Sequence, residues 1–265
     1  MCIFSVENET QTDMNVFSLK DKVAIVTGAS KGIGQAIAEL YAEYGAKVVV
    51  SSRKQEAIDL VVKGITDKGH DAIGIVANTG KAEDLKNLVE QTIAHYGRID
   101  ILVNNAATNP TFGPMLNTDA DAFDHIMNVN VKGPFELAKL AFPHMMNAGG
   151  GSIINISSIG GLSPEPLLGI YSVSKSALIS LTKVMAKEFG AAGIRANVIC
   201  PGLIKTKFSE ALWSSEPIAD KMIKRLPIAR IGVPEDISGM ALFLASDASA
   251  YSTGSVFTAD GGYTI

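Results

Sequence analysis

Tyr171 and Lys175 stand four residues apart in Tyr171-Ser172-Val173-Ser174-Lys175, a spacing that puts both side chains on one face of a helix. A lysine ammonium beside a phenol favours the phenolate and is expected to lower a pKa that is about 10 when unperturbed. Such a phenol would trade a proton with a carbonyl or alcohol oxygen, as general acid in one direction and general base in the other. Thirteen residues before Tyr171, a short apolar run ends in Ser157-Ser158. Adjacent strand residues point to opposite faces, so only one of these hydroxyls can look into the site, and the spacing favours Ser158.

A second group of residues is suited to phosphate. Gly28, Gly32 and Gly34 punctuate TGASKGIG, which follows a β-branched run and leads into a helical pattern opening at Ile33. A pyrophosphate needs backbone N–H groups at a helix N-terminus and no Cβ where the backbone comes close, and a strand, glycine turn and helix supply both. About 20 positions further on, where an NAD site carries an acidic residue against the ribose hydroxyls, the chain reads Ser51-Ser52-Arg53-Lys54. An arginine fork flanked by hydroxyls suits a 2′-phosphate, which a carboxylate would repel. Lys31 adds a second cation at the same place. The expected cofactor is therefore NADP(H).

Both groups need a rigid frame. Short β-branched runs at 22–28, 47–53, 72–78, 101–106, 152–158, 195–202 and 255–261 alternate with helical segments, the pattern of a parallel sheet with helices on both faces. Ile33, Ile37, Leu40, Tyr41 and Tyr44 keep the helical three-or-four spacing, and Gly45 closes that segment. The stretch 206–230, with Trp213, two prolines and mixed charge, is longer than a simple crossover, and such insertions usually cover a site. No repeat or linker interrupts 21–265. The predicted organisation is a disordered extension over 1–19, with Met14 a candidate start, and one catalytic domain over 20–265.

Composition narrows the partners. With 23 basic and 27 acidic residues the net charge is -4, which offers nucleic acid or an anionic membrane no broad basic field. No window holds the ~20 uninterrupted apolar residues of a spanning helix, and the N-terminus lacks the pattern of a secretory signal. Two cysteines, Cys2 and Cys200, make a disulfide framework improbable and fit a reducing compartment; Cys200 reads as a small buried hydrophobe. A cytoplasmic location is expected. The four histidines lie apart without metal-site spacing, so no metal is expected. Lys205 and Lys207 read as solvated charge.

TGASKGIG, Asn104-Asn105-Ala106-Ala107, Asn130 before Val131-Lys132-Gly133, Ser158, and Tyr171 with Lys175 together resemble the short-chain dehydrogenase/reductase family, over essentially all of residues 20–265. Within it, SSRK, NTGKAED and NAATNP look most like NADP-dependent carbonyl reductases with retinal-reductase and 3-oxoacyl-reductase relatives. The resemblance implies a single-domain α/β fold of the Rossmann type, a doubly wound seven-stranded parallel sheet in the order 3-2-1-4-5-6-7. It implies that Ser158 hydrogen-bonds the substrate oxygen, that Tyr171 is the acid/base, that Lys175 also holds the nicotinamide ribose, and that Asn130 supports a water-mediated proton relay. The cofactor would lie against Gly28, Ser30, Lys31, Gly32, Ile33, Gly34, Ser52, Arg53, Asn78, Thr79, Asn105, Ala106 and Ala107. Pro201, Gly202, Ile204 and Thr206 would seat the carboxamide. Asn78 stands where many relatives carry an aspartate toward the adenine amine; an amide can still accept that bond.

The resemblance also implies a homotetramer, with Phe135, Leu137, Leu140, Met145 and Met146 open between core and subunit interface. The substrate pocket is expected between 107–115, 158–168 and 206–230, the last acting as a lid. Phe112, Met115, Leu162, Leu167, Leu168, Phe208, Leu212 and Trp213 there point to a hydrophobic ketone, aldehyde or alcohol. The competing expectation is an NADP-binding sensor or scaffold without turnover, or a lyase or epimerase that cycles its cofactor. The intact Ser158, Tyr171, Lys175 and Asn130 weigh against the sensor.

Overall fold

The computed structural model describes residues 16–214 and 216–265. Seven strands, β1 (Val23–Thr27), β2 (Lys47–Ser52), β3 (Ala72–Val76), β4 (Ile101–Asn104), β5 (Gly151–Ile156), β6 (Ile194–Pro201) and β7 (Val256–Ala259), form one sheet. All six pairings are parallel, in the order β3-β2-β1-β4-β5-β6-β7, as expected. The central strands are buried along their length, which is why they read as unbroken apolar runs and not as alternating ones.

Helices cover both faces. On one lie α1 (Gly32–Glu43), α2 (Gln55–Thr66) and, from late in the chain, α9 (Glu235–Ala245); on the other lie α3 (Ala82–Tyr96), α5 (Gly133–Asn147) and α6 (Gly169–Phe189). Their buried positions recur at helical spacing, as Ile37, Ala38, Tyr41 and Ala42 do on α1. Tyr41 lies wholly in the core and its hydroxyl donates to the Ala241 carbonyl of α9 at 2.8 Å, which fixes α1 against α9. Leu137 and Met145 on α5 are core, whereas Phe135 and Met146 are exposed.

Two features direct function to one edge. β1 has β2 on one side and β4 on the other, so chains leaving these strands depart in opposite directions and open a crevice at the carboxyl ends, where open α/β sheets hold ligands. The short α4 (Ala120–Met127) runs into α5 through one turn of π-helix over Asn128–Lys132, and wide turns of that kind gather at functional sites. The segment after β6 is ordered as α7 (Glu210–Trp213) and α8 (Glu216–Ile223). Of the extension expected over 1–19, residues 1–15, with Cys2 and Met14, lie outside the described residues. Val16 and Leu19 are tied to the fold: the Val16 carbonyl accepts from the Ala248 N–H, and Leu19 is buried with its N–H on the Tyr44 carbonyl.

Candidate active site

The glycine turn is shaped by what surrounds it. Gly28 adopts φ +63°, and a Cβ there would stand 2.9 Å from Ala106 Cα. A Cβ on Gly34 would come within 2.4 Å of Asn105 Nδ2 and 2.6 Å of the Gly28 carbonyl oxygen. Only glycine fits at either point. The Asn105 amide donates to the Thr27 and Gly28 carbonyls at 2.9 and 3.1 Å, while Thr27 Oγ1 accepts from the Asn105 and Ala106 N–H groups and donates to the Val103 carbonyl. Asn105 and Thr27 thus clamp the end of β4 to the end of β1; Asn105 works on the turn from behind, through a contact the sequence did not disclose. Lys31 occupies the N-cap of α1 without a capping side-chain bond, and the first turn holds no acidic residue. A helix N-terminus of this kind, faced by a backbone without Cβ atoms, fits a pyrophosphate.

Beyond the turn, Ser30 and Ser52 share a hydrogen bond of 3.0 Å, joining the cradle to the end of β2. Arg53 and Lys31 are exposed beside it, and among the described residues neither has an ion-pair partner. Asn78 Oδ1 accepts from the Gly80 N–H at 3.0 Å and the Asn78 N–H donates to Asp84. One lone pair of the amide expected to meet adenine is therefore spent on its own turn. Thr79 lies with its carbonyl against Gly133 of α5. Thr206 packs over Gly32, where a Cβ would sit 3.1 Å from its Cγ2. Pro201 is the last residue of β6, and Gly202 follows with its N–H on the Ala259 carbonyl. Ile204 is buried in the core cluster and so meets the site through its backbone.

Ser158 and Tyr171 come together where β5 ends and α6 begins. The Ser158 hydroxyl stands close enough to the phenol to pull its pKa down, and it caps the short turn after it by accepting from the Gly160 N–H at 3.1 Å. Ser157 points the other way, as period-two alternation requires, and donates to the Lys175 carbonyl at 2.9 Å. Lys175 is 2% exposed, and its Nζ donates to the Ile156 carbonyl at 2.8 Å and stands 5.6 Å from the centre of the Tyr171 ring. The expected depression of the phenol pKa is not found. Burial pushes Tyr171 up to about 12, against a smaller downward pull from Ser158, and burial pulls Lys175 down to about 8. Desolvation of the two groups outweighs their mutual help, because the ammonium is turned to a carbonyl.

Asn130 sits in the π-helical turn and is 1% exposed. Its Oδ1 accepts from the Thr108 N–H at 2.8 Å, and its Nδ2 donates to the Thr108 carbonyl and to Ser174 Oγ, each at 3.0 Å. Ser174 Oγ in turn donates to the Tyr171 carbonyl at 2.7 Å. The side chain thus joins the loop after β4 to the helix that carries Tyr171, and its amide has little left for a water.

On the substrate side, Phe112, Met115, Leu162, Leu167 and Phe208 are all exposed. The Phe208 ring lies 5.9 Å from that of Tyr171. Trp213 donates its Nε1–H to the Thr206 carbonyl at 2.7 Å with Lys205 Nζ 5.2 Å above its ring, and Lys207 pairs with Glu210. Lys205 and Lys207 are both exposed, as solvated charges should be, although each also has a neighbour at the lid root. No described helix is long and apolar enough to cross a membrane.

A family profile described as enoyl-(acyl carrier protein) reductase matches residues 28–264. The chain is 45% identical over 244 residues to dehydrogenase/reductase SDR family member 4 of Sus scrofa, covering 92% of this chain and 88% of that one. The human protein of that name is 44% identical with the same coverage. Among solved structures it resembles a gluconate 5-dehydrogenase from Burkholderia cenocepacia in complex with NADP and tartrate, with TM-score 0.90, 33% identity and coverage of 94% and 97%. A 7α-hydroxysteroid dehydrogenase complexed with NADH and 7-oxo glycochenodeoxycholic acid gives TM-score 0.90, 35% identity and coverage of 93% and 96%. Together with the sheet order and the placement of Ser158, Tyr171 and Lys175 on the same carboxyl edge as the glycine turn, these matches show that the chain belongs to the short-chain dehydrogenase/reductase family of oxidoreductases.

Proposed function

We propose that the protein is an NADP(H)-dependent carbonyl reductase and alcohol dehydrogenase for hydrophobic small molecules, with Tyr171 as the group that gives and takes the proton. The observation that carries this reading is the placement of buried Lys175, its Nζ 5.6 Å from the centre of the Tyr171 ring, beside Ser158 at the end of β5, on the same carboxyl edge of the sheet as the cradle formed by Gly28, Gly32 and Gly34. The nicotinamide would supply or accept the hydride at the substrate carbon. In reduction, Ser158 bonds the carbonyl oxygen, and Tyr171 gives that oxygen its proton as the carbon is reduced. A phenol held near 12 is protonated at neutral pH, the form that donates. Oxidation reverses the path and needs the phenolate, which gains from a cation close by; Lys175, 5.6 Å from the ring centre, is the one placed to supply it. Asn130 positions Tyr171 through Ser174.

Preference for NADP(H) over NAD(H) is supported by Arg53 and Lys31, cations at the end of β2 and the glycine turn with no ion-pair partner among the described residues, and by the lack of a carboxylate in Ser51-Ser52-Arg53-Lys54. A hydrophobic ketone, aldehyde or alcohol is supported by the exposed Phe208 ring against Tyr171 and by the exposed apolar side chains of the loops at 107–115 and 158–168. Phe123, Phe135 and Val184, exposed on α4, α5 and α6, support a homotetramer formed through those helices.

The test is titration with NADPH and then NADH, followed by nicotinamide fluorescence, with aryl ketones, oxoacyl esters and retinal added in turn. The expected result is much tighter binding of NADPH and its stoichiometric loss with at least one carbonyl. Equal affinity for NADH would overturn the 2′-phosphate argument. NADPH that binds and is never consumed would favour a sensor.

A further inference from the structure

The walls of the substrate pocket belong to segments far apart in sequence, and one residue near the C-terminus connects them. Tyr263 donates its hydroxyl proton to Glu165 Oε1 at 3.0 Å and accepts from Arg225 Nη1 at 2.9 Å. The Arg225 guanidinium also stacks on the Tyr263 ring, 4.7 Å from its centre. Glu165 lies in the loop between Ser158 and Tyr171; Arg225 follows α8 at the far end of the lid. Among the described ion pairs Glu165 and Arg225 do not meet directly, so the phenol is what couples their charges.

Each end of this chain of bonds has reason to need it. The Glu165 loop holds Leu167 at φ +72°, a left-handed conformation that a leucine adopts only against resistance. Another tie is the Gly113 N–H on the Leu167 carbonyl at 3.1 Å. The lid end is held to the C-terminal turn by the Ile228 N–H on the Gly261 carbonyl at 3.0 Å and by Pro227 lying where a Gly262 Cβ would stand. Tyr263 thus reaches from a turn already fixed to one wall across to the other. Leu162 and Leu167 on the first wall are exposed, as is Phe208 on the second, whose ring lies 5.9 Å from that of Tyr171, so the tie bears on how far apart those apolar groups stand.

We propose that Tyr263 is a positioning residue: its hydroxyl, held between Glu165 and Arg225, fixes the spacing of the lid and the loop after β5 and so sets how tightly the carbonyl substrate is held. This rests on the carbonyl-reductase reading for its kinetic consequence but not for its structural one. Tyr263→Phe keeps the ring and its stacking and removes both hydrogen bonds, one of them to a charged carboxylate.

The test pairs a structural readout with a kinetic one, on the full chain. In Tyr263→Phe, trypsin is expected to cut after Lys224 and Arg225 roughly three- to tenfold faster, the range expected when hydrogen bonds of ordinary strength are lost. KM for the carbonyl should rise by a similar factor while kcat and NADPH affinity stay within about twofold, the pattern of lost uniform binding. Glu165→Gln should move both readouts in the same direction, and the double variant should add little to either single one. Unchanged proteolysis and unchanged KM in Tyr263→Phe would overturn the proposal, as would full additivity in the double variant. If the wild-type protein consumes no carbonyl at all, the functional reading fails while the proteolysis result still decides the tie.

Discussion

The side proposed for the nucleotide and the side proposed for the substrate are made differently. The nucleotide side is backbone: a turn whose glycines admit no Cβ, clamped by Asn105 and Thr27 between adjacent buried strands. The substrate side is side chain: Phe112, Met115, Leu162, Leu167 and Phe208 stand exposed on loops, joined by single contacts such as those of Trp213 and Tyr263. A site that must take the same pyrophosphate whatever the substrate can be cut into the sheet edge. One that selects among carbonyl compounds is better carried on segments free to vary. Tyr171 and Lys175 lie at the seam, on a long helix packed against β6 and so belonging to the rigid half, with Phe208 of the variable half against the Tyr171 ring.

The contrast can be broken at several points, and the largest effect is expected at the seam. Lys175 is buried, with a folded pKa of about 8 against 10.5, so folding is penalised for holding a proton there by up to about 3 kcal/mol. The penalty is complete below pH 8 and fades as pH rises to about 10.5, where the unfolded chain also loses its proton. Lys175→Met should be more stable than wild type at pH 7, with the advantage shrinking across that window in urea titrations, and should turn over far more slowly. A constant stability difference from pH 7 to 10 would mean that burial does not lower the Lys175 pKa.

On the nucleotide side, Arg53→Ala should weaken NADPH by roughly 10- to 100-fold, the size of a lost charge-assisted contact, and leave NADH nearly untouched, as read by fluorescence titration. Equal weakening of both would place Arg53 elsewhere than on the 2′-phosphate. The smallest effect is expected on the substrate side: Phe208→Ala should change KM for apolar carbonyls by less than about tenfold without altering NADPH affinity. A change in NADPH affinity there would show that the two halves are not independent.

The same contrast explains what could be read from residues alone. Strand positions came within a few residues because buried parallel strands are continuous β-branched runs, and the sheet order followed from the family resemblance. The expected strands run past their ends at 28, 106 and 261, where Gly28, Asn105 and Gly261 already belong to the turns that shape the site. The cradle was legible because three glycines between the end of a strand and the start of a helix have few physical uses. The Tyr171 and Lys175 pair was legible as a spacing, but its electrostatics were not: spacing cannot reveal that Lys175 turns to the Ile156 carbonyl or that both groups lose water. Asn130 could be located but not its three bonds, which depend on a π-helical turn that no propensity marks. Tyr263, Glu165 and Arg225 were silent, since nothing in a linear chain announces that its end will meet residues 38 and 98 positions earlier.

The central claim is that cofactor binding belongs to the rigid half and proton transfer to Tyr171. Tyr171→Phe tests it most directly, through NADPH affinity by fluorescence and carbonyl reduction by loss of NADPH absorbance in the same preparation. The account predicts unchanged affinity with turnover reduced by about 100-fold to 10,000-fold, the range for a lost general acid. Turnover that survives within a few fold, while NADPH still binds, would contradict it and assign the proton to another group.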